Sequence, residues 1–113
     1  MACIFCEVAQ GKREATIVYQ DELVTAFRDI RPQAPVHVLI IPNEHIASAA
    51  ELKAEHGPLL VRICEVASRI AQQEGIAEDG YRLVTNVGRA AGQSVGHLHF
   101  HLVGGRRLGW PPG

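Results

Sequence analysis

Apolar and polar residues alternate along the chain in a pattern that predicts five short strands and two helices. Runs rich in β-branched and aromatic residues predict strands over residues 16–19, 23–27, 37–41, 81–87 and 97–103. Apolar residues recur at helical spacing over residues 58–74, and Gly75 is well placed to end that helix. A shorter helix is predicted over residues 4–9, before Gly11. The pattern therefore predicts a single α+β domain over residues 1–113 with a mostly antiparallel sheet.

The last predicted strand carries a histidine at every second position. Because side chains alternate across a strand, His97, His99 and His101 are expected to form one exposed row, with the intervening apolar residues facing the core. The chain has 6 histidines in 113 residues, so chance would fill three such positions roughly once in several thousand. A solvated strand face is the plain alternative. A histidine row is suited either to binding a transition metal or to nucleophilic catalysis by one imidazole.

Charge and composition exclude several classes of function. Lys and Arg number 11 against 12 Asp and Glu, a net charge of −1, and aromatic residues are only 5%. Nucleic acid is therefore not an expected partner. The longest apolar stretch, residues 38–41, is too short to cross a bilayer, so no membrane partner is expected. The first residues lack a basic segment of the secretory type, which favours a cytoplasmic location.

Two of the three cysteines are spaced as Cys3-x-x-Cys6. In a reducing compartment this spacing favours metal or redox chemistry over a disulfide, although two buried free thiols are also compatible with it. A thioredoxin-type pair is disfavoured because no strand precedes the motif. The third cysteine, Cys64, lies on the apolar side of the long predicted helix, which predicts a core position.

The histidine row, followed by two apolar residues, resembles the histidine triad that names the HIT superfamily of nucleotide hydrolases and transferases. Other segments resemble the Hint branch of that superfamily: residues 26–30, 32–37, 41–42 with His45, 80–82, Asn86, 92–95 and 104–113. The resemblance covers essentially the whole chain from Cys3 onward. Its ending, Trp110-Pro-Pro-Gly, is absent from the branch that cleaves dinucleoside polyphosphates.

The resemblance implies a fold and an activity. The implied fold is HIT-like: a five-stranded antiparallel sheet with one long and one short helix, the sheet continuing across a homodimer in which the Trp110 tail reaches the partner's site. The implied activity is hydrolysis of nucleoside 5′-phosphoramidates of the adenosine type, with an AMP-like purine nucleotide as substrate. The reaction would pass through a nucleotidyl intermediate on His99 and release nucleoside monophosphate. Dinucleoside polyphosphate hydrolysis and nucleotide binding with vestigial turnover are the alternatives.

The resemblance also implies a role for each site residue. His99 would be the nucleophile, with the His97 carbonyl receiving its Nδ1 proton, and His101 would contact the phosphate or the leaving group. His37 would line the same site, and the Ser94 hydroxyl would lie near the leaving group. Phosphate contacts are implied for Asn86, Gly92, Gln93 and Ser94, a ribose contact for Asp29, and an apolar base pocket for Ile4, Phe5, Phe27 and Ile30. Taken alone, the glycine-containing loop 88–96 favours a plain hairpin loop, Asp29 equally favours an Asx turn, and the apolar residues favour core positions.

The cysteine pair marks a departure from the animal Hint proteins, which lack it. In some bacterial members the corresponding residues hold zinc, so the resemblance implies one structural zinc ion bound by Cys3, Cys6, His45 and His97. Four ligands complete a tetrahedral site, and no metal is then expected in the chemical step. A second departure is Gly96, where animal Hint proteins usually carry an aromatic residue, and it leaves the leaving-group preference open.

Overall fold

The computed structural model describes residues 3–113. In chain order the elements are α1 (Ile4–Ala9), β1 (Ile17–Gln20), β2 (Val24–Arg28), β3 (Val36–Pro42), α2 (Gly57–Gln73), β4 (Tyr81–Thr85) and β5 (Phe100–Gly104). Short 3-10 turns occupy Ala49–Glu51, Ala54–His56 and Arg89–Ala91. The predicted α+β class, with one long and one short helix, is confirmed.

All five strands pair antiparallel in one sheet with the order β1-β2-β3-β5-β4. The central pair is β3 and β5, in which Leu39 lies opposite His101 and His37 opposite Val103. This register brings a histidine of β3 beside the last residue of the histidine row. The edge strands are β1 and β4.

One face of the sheet is covered by α2. The buried residues of this helix are Leu59, Ile63, Val66, Ala67, Ile70 and Ala71. They belong to the same core as the sheet residues Val24, Ala26, Val38, Ile40 and Leu102. Because these positions recur at helical spacing on α2 and at alternate positions on β2 and β3, both elements bury one continuous apolar surface. The strands that carry the histidines are thereby fixed against a rigid support.

The opposite face of the sheet is covered by α1, and the histidine row lies beneath it. Phe5 and Val8 of α1 pack with Phe27, Leu39 and Ile41 in a second apolar cluster. His97 is 0% exposed and His99 4%, while His101 is half-buried. The expected exposed row is therefore wrong, because a helix 88 or more residues away in sequence covers this face of the strand.

The last strand begins at Phe100, three residues later than its pattern predicts. The Leu98 N–H donates to the Ile46 carbonyl (2.6 Å), which lies beyond the end of β3. His97 and His99 therefore precede the regular ladder, and other contacts must hold them in place.

The outer surface of α2 shows a second difference from the sequence prediction. Cys64 is exposed, so its predicted core position is wrong. Its neighbour Val61 is 59% exposed, and both border a shallow apolar depression. The helix therefore presents an apolar strip to solvent as well as to the core. Within residues 3–113, no helix has the length and apolar character needed to cross a membrane.

Candidate active site and metal cluster

His99 is held in a single tautomer. Its Nδ1 lies 2.7 Å from the His97 carbonyl oxygen. A carbonyl oxygen only accepts hydrogen bonds, so Nδ1 carries the proton and donates it. In the neutral ring Nε2 then has a free lone pair, which is the form that a nucleophile requires. The predicted hydrogen bond between these two residues is present.

The other two histidines of the site form an oriented chain of hydrogen bonds. The Gln33 backbone N–H donates to His37 Nδ1 (3.0 Å), so the proton of the neutral His37 ring is on Nε2. That Nε2–H lies 2.9 Å from His101 Nδ1 and donates to it. His101 in turn carries its proton on Nε2, which gives the site one imidazole N–H donor beside the lone pair of His99.

Burial keeps this chain neutral. Desolvation lowers the pKa of His37 below its ordinary value, and the nearby Asp29 charge opposes the shift only in part. Desolvation also lowers the pKa of His101, followed by the neighbouring His99 and His37, again against Asp29. Both rings are therefore uncharged at pH 7, as the tautomer chain requires.

Asp29 makes the Asx turn that its sequence context allows. Its Oδ1 accepts from the Arg31 N–H (2.8 Å), and its Oδ2 lies 3.4 Å from His37 Nε2. The carboxylate also lines the main cavity of the site. The turn orients this side chain, and the predicted ribose contact is not tested by the structure.

A cavity of about 660 Å³ opens beside His99 and His101. Its volume lies within the usual range for small-molecule sites. All four residues predicted to form a base pocket line it, namely Ile4, Phe5, Phe27 and Ile30. Asp29 and Ser94 line it as well, so one cavity joins the apolar, acidic and imidazole groups.

The loop before the histidine segment is braced by its own glutamine. Gln93 Oε1 accepts from the Gly88 N–H (2.9 Å), and its Nε2 donates to the carbonyls of Ala47 and Val95. Within the described residues, the cavity lining does not include Asn86, Gly92 or Gln93. The Gln93 side chain therefore shapes the loop, and the predicted phosphate contacts of these three residues stay predictions.

The structure adds site residues that the sequence pattern does not reveal. The wall of the cavity includes Arg13, Glu14, Ala15, Thr16 and Arg28. Arg28 is fixed by two hydrogen bonds to Glu74 beyond the end of α2, and this pair raises the pKa of the Arg28 guanidinium. The Thr85 hydroxyl donates to the His99 carbonyl (2.8 Å) and so holds the main chain of the candidate nucleophile. In the sequence, the only indication of this contact is a threonine at the end of β4, at the position that pairs with the first residue of β5.

The four residues predicted to bind zinc lie together. Cys3 Sγ is 3.3 Å from His97 Nδ1, and Cys6 Sγ is 3.3 Å from His45 Nδ1 and 3.5 Å from His97 Nδ1. All four ligand atoms lie within 4.8 Å of one another. Zn–S bonds of about 2.3 Å and Zn–N bonds of about 2.0 Å place tetrahedral ligand atoms at comparable separations.

The tautomer of His97 fits metal binding. Its Nε2–H donates to the Pro42 carbonyl (2.9 Å), so its Nδ1 presents a lone pair to both sulfurs. Desolvation lowers the His97 pKa, which keeps this ring neutral. Burial, followed by the neighbouring Cys3, raises the pKa of the Cys6 thiol, and a cation between the two sulfurs would favour the thiolates instead. The donor set therefore suits zinc.

A second group of potential ligands does not fit a metal. Asp29, His37 and His101 also place one ligand atom each within 4.8 Å. His37 would have to bind through Nε2, however, and Nε2 carries the proton because Nδ1 accepts from Gln33. If that proton moved to Nδ1, the His37 Nδ1–H would face the Gln33 backbone N–H, and neither group could accept a hydrogen bond from the other. We therefore assign this group to proton placement rather than to metal binding.

Comparison with known proteins gives a consistent result. The model of the HIT domain matches residues 10–108. The chain is 57% identical over 106 residues to the purine nucleoside phosphoramidase of Escherichia coli, covering 94% of this chain and 89% of that protein. It is 47% identical to a 14 kDa zinc-binding protein of Zea mays, covering 97% of this chain and 87% of that one. The crystal structure of a HIT family hydrolase from Legionella pneumophila superposes with a TM-score of 0.97 at 52% identity, covering 99% of this chain and all of the other.

Proposed function

The chain belongs to the HIT-domain family of hydrolases, and from that premise we propose that it hydrolyses nucleoside 5′-phosphoramidates through a covalent intermediate on His99. The observation that carries the proposal is the tautomer of His99. A ring with its Nδ1–H donated to the His97 carbonyl keeps Nε2 free, and His99 lines the same cavity as Asp29, Ser94 and His101. The identity to the E. coli phosphoramidase supports this choice of substrate class.

In the first proposed step, His99 Nε2 attacks the α-phosphorus. A bond forms between this nitrogen and phosphorus as the P–N bond to the leaving amine breaks. The departing amine takes a proton, for which the His101 Nε2–H and the Ser94 hydroxyl at the same cavity are the proposed donors. The donor is then one proton short until the second step. The ring of His99 then carries positive charge, and the His97 carbonyl oxygen stabilises it through the Nδ1–H.

In the second proposed step, water attacks the same phosphorus. The bond to His99 Nε2 breaks, and the ring leaves as neutral imidazole with its Nδ1–H still donated to the His97 carbonyl. The oxygen of the water molecule ends in the nucleoside monophosphate, and the free side chain is regenerated. The proton that the water molecule gives up returns to the group that protonated the amine in the first step, so the site regains its starting protonation state.

Nucleotide binding is assigned to the cavity. The apolar walls from Ile4, Phe5, Phe27 and Ile30 would hold a purine base, and the carboxylate of Asp29 would accept from the ribose hydroxyls. Phosphate contacts are assigned to Asn86, Gly92, Gln93 and Ser94 in and beside the loop. Arg13 and Arg28 in the cavity wall are already paired with Glu7 and Glu74, so hydroxyl, imidazole and backbone N–H groups would stabilise the transition state.

A zinc ion bound by Cys3, Cys6, His45 and His97 would supply a structural cross-link. The four protein ligands leave no open coordination position, which is the arrangement of structural zinc. The chemical step is accordingly assigned to side chains and backbone groups of the protein rather than to the zinc ion.

We also propose a cytoplasmic homodimer. The exposed apolar strip of α2 around Val61 and the open edge of β4 are suited to pairing with a second copy. Pairing of β4 edges would continue the sheet across the dimer, and the exposed Trp110 tail would be free to reach the partner's cavity.

The test is steady-state hydrolysis of adenosine 5′-phosphoramidate by the wild type and by His99→Ala, with diadenosine triphosphate as the competing substrate. We expect turnover of the phosphoramidate, its loss in His99→Ala, and AMP binding by both proteins. His56→Gln, a histidine outside the cavity, is the matched control and should retain turnover. Preference for the dinucleotide would transfer the protein to the dinucleoside polyphosphate hydrolases. Binding without any turnover would make it a nucleotide-binding module.

A further inference from the structure

The candidate nucleophile lies just before the regular strand ladder begins. His99 precedes the first residue of β5, Phe100, so its position depends on contacts outside the strand ladder. Those contacts are the Thr85 hydroxyl on its carbonyl and the His97 carbonyl on its ring. A displacement of about 1 Å in the attacking atom of a nucleophile can lower the rate about 100-fold. Whatever fixes His97 therefore also fixes His99.

His97 contacts the metal cluster through its ring and the nucleophile through its main-chain carbonyl. Its ring is clamped on both sides, by Pro42 at Nε2 and by the sulfurs of Cys3 and Cys6 at Nδ1. Its main-chain carbonyl is the acceptor that sets the His99 tautomer. Ligand contacts that hold the ring restrict the torsion angles of the same residue and hence the direction of its carbonyl.

Phe5 provides a second connection from the cluster to His99. Phe5 lies between the two cysteines in sequence. Its ring makes edge-to-face contacts with the rings of His97 and His99, at centroid separations of 6.0 Å and 5.1 Å. Cys3 is also the N-cap of α1, because its Sγ accepts from the Cys6 N–H (3.4 Å). A helix of 6 residues is too short to be stable by itself. The cysteines thus anchor the helix that covers the nucleophile.

From these contacts we propose that Cys3, Cys6 and His45 are positioning residues for the hydrolytic reaction. They act through His97 and Phe5, and they fix both the tautomer of His99 and the direction of its Nε2. The proposal rests on the proposed function for its kinetic consequence but not for its structural one. When the cluster is not assembled, the His97 carbonyl is free to turn away from His99 Nδ1. The proton can then move to Nε2, which blocks attack.

The experiment uses His45→Gln, because His45 is the exposed member of the cluster and does not line the cavity. His56→Gln is the matched control. Each protein is measured for zinc content, far-ultraviolet circular dichroism, kcat and KM for adenosine 5′-phosphoramidate, and the 15N chemical shifts of the His99 ring. Chelator-treated wild type, before and after added zinc, provides a metal-free form with no substitution.

We expect metal-free protein to stay folded, to lose kcat by at least tenfold with a smaller change in KM, and to show mixed protonation of His99 Nδ1 and Nε2. Added zinc should restore the wild type, and the control should match it throughout. Loss of zinc with an unchanged His99 tautomer would overturn the proposal, as would wild type that takes up no zinc. Unfolding of both metal-free forms would also overturn it, since the cluster would then be needed for folding as a whole. If the wild type does not turn over the phosphoramidate, the proposed function fails, and the 15N shifts still decide the positioning role.

Discussion

Replacing His37 by leucine or by glutamine separates the two hydrogen bonds of this buried side chain. Leucine removes both the acceptor for the Gln33 N–H and the donor to His101 Nδ1. In glutamine the amide nitrogen is three bonds from Cβ, as Nε2 is in histidine, so it is able to donate to His101. Both variants lose the Gln33 contact at Nδ1, and the donor to His101 is the difference between them.

The expected magnitude follows from the lost donor. A net hydrogen bond contributes about 1 kcal/mol, and a buried acceptor left without its donor costs about 1–3 kcal/mol. Because about 1.4 kcal/mol is tenfold in rate, we expect kcat/KM of His37→Leu to fall roughly 10- to 100-fold below that of His37→Gln. The mechanism is a change of tautomer: without the donor at Nδ1, the His101 proton is no longer confined to Nε2.

The assay is steady-state hydrolysis of adenosine 5′-phosphoramidate, together with 15N shifts of His101 in both variants. Circular dichroism and thermal unfolding would establish that both proteins are folded before their kinetics are compared. Equal losses of kcat/KM in the two variants, with the same His101 tautomer, would refute the hydrogen-bonded chain from Gln33 through His37 to His101.

Two further predictions follow from burial and exposure. In the folded protein, the pKa values of His37 and His101 are lowered from the ordinary value of about 6.5. As the pH falls below that value, the unfolded chain therefore binds more protons than the folded protein. The midpoint of denaturation should accordingly fall as the pH drops from 7 to 5. His101→Gln should flatten this profile, and a flat wild-type profile would contradict the pKa directions. Val61→Glu should give a monomer by sedimentation equilibrium with little change in Tm, because the side chain is 59% exposed in the single chain. A dimer that persists in Val61→Glu would exclude this strip of α2 from the interface.

Much of the fold follows from local patterns in the sequence. The stripe Leu59, Ile63, Val66 and Ile70 predicts α2 within one residue at each end, and the predicted bounds of α1 are those observed. The strands are found within a few residues of their predicted positions. The helix α2 is predictable because it buries one face, which leaves a helical period in the sequence. The strand β3 is buried on both faces and is instead recognised as a short apolar run that ends at Pro42.

The environment of the site is less predictable, because it depends on contacts between distant segments. The spacing of His97, His99 and His101 predicts that they share one face of the strand. It does not predict that His97 and His99 are buried, because their burial requires α1 to cover that face. The role of Thr85 depends on the register of β4 with β5, and cavity residues such as Arg13 precede a strand with no periodic signal. Helical spacing places Cys64 beside the apolar stripe of α2, which predicts a core position. Spacing alone does not show which residues at the edge of such a stripe stay exposed, and Cys64 is one of them.

The metal cluster joins two segments that are far apart in the chain. Cys3 and His97 are separated by 94 residues and meet at 3.3 Å. A link between them closes a loop of nearly that length, and the chain-entropy relation for a cross-link assigns about 4–5 kcal/mol to a loop of this size. During synthesis, the two cysteines stay without their buried partner until residue 97 has been added. Assembly of the cluster is therefore a late event for the nascent chain, and the nucleophile two residues further on cannot be set in place before it.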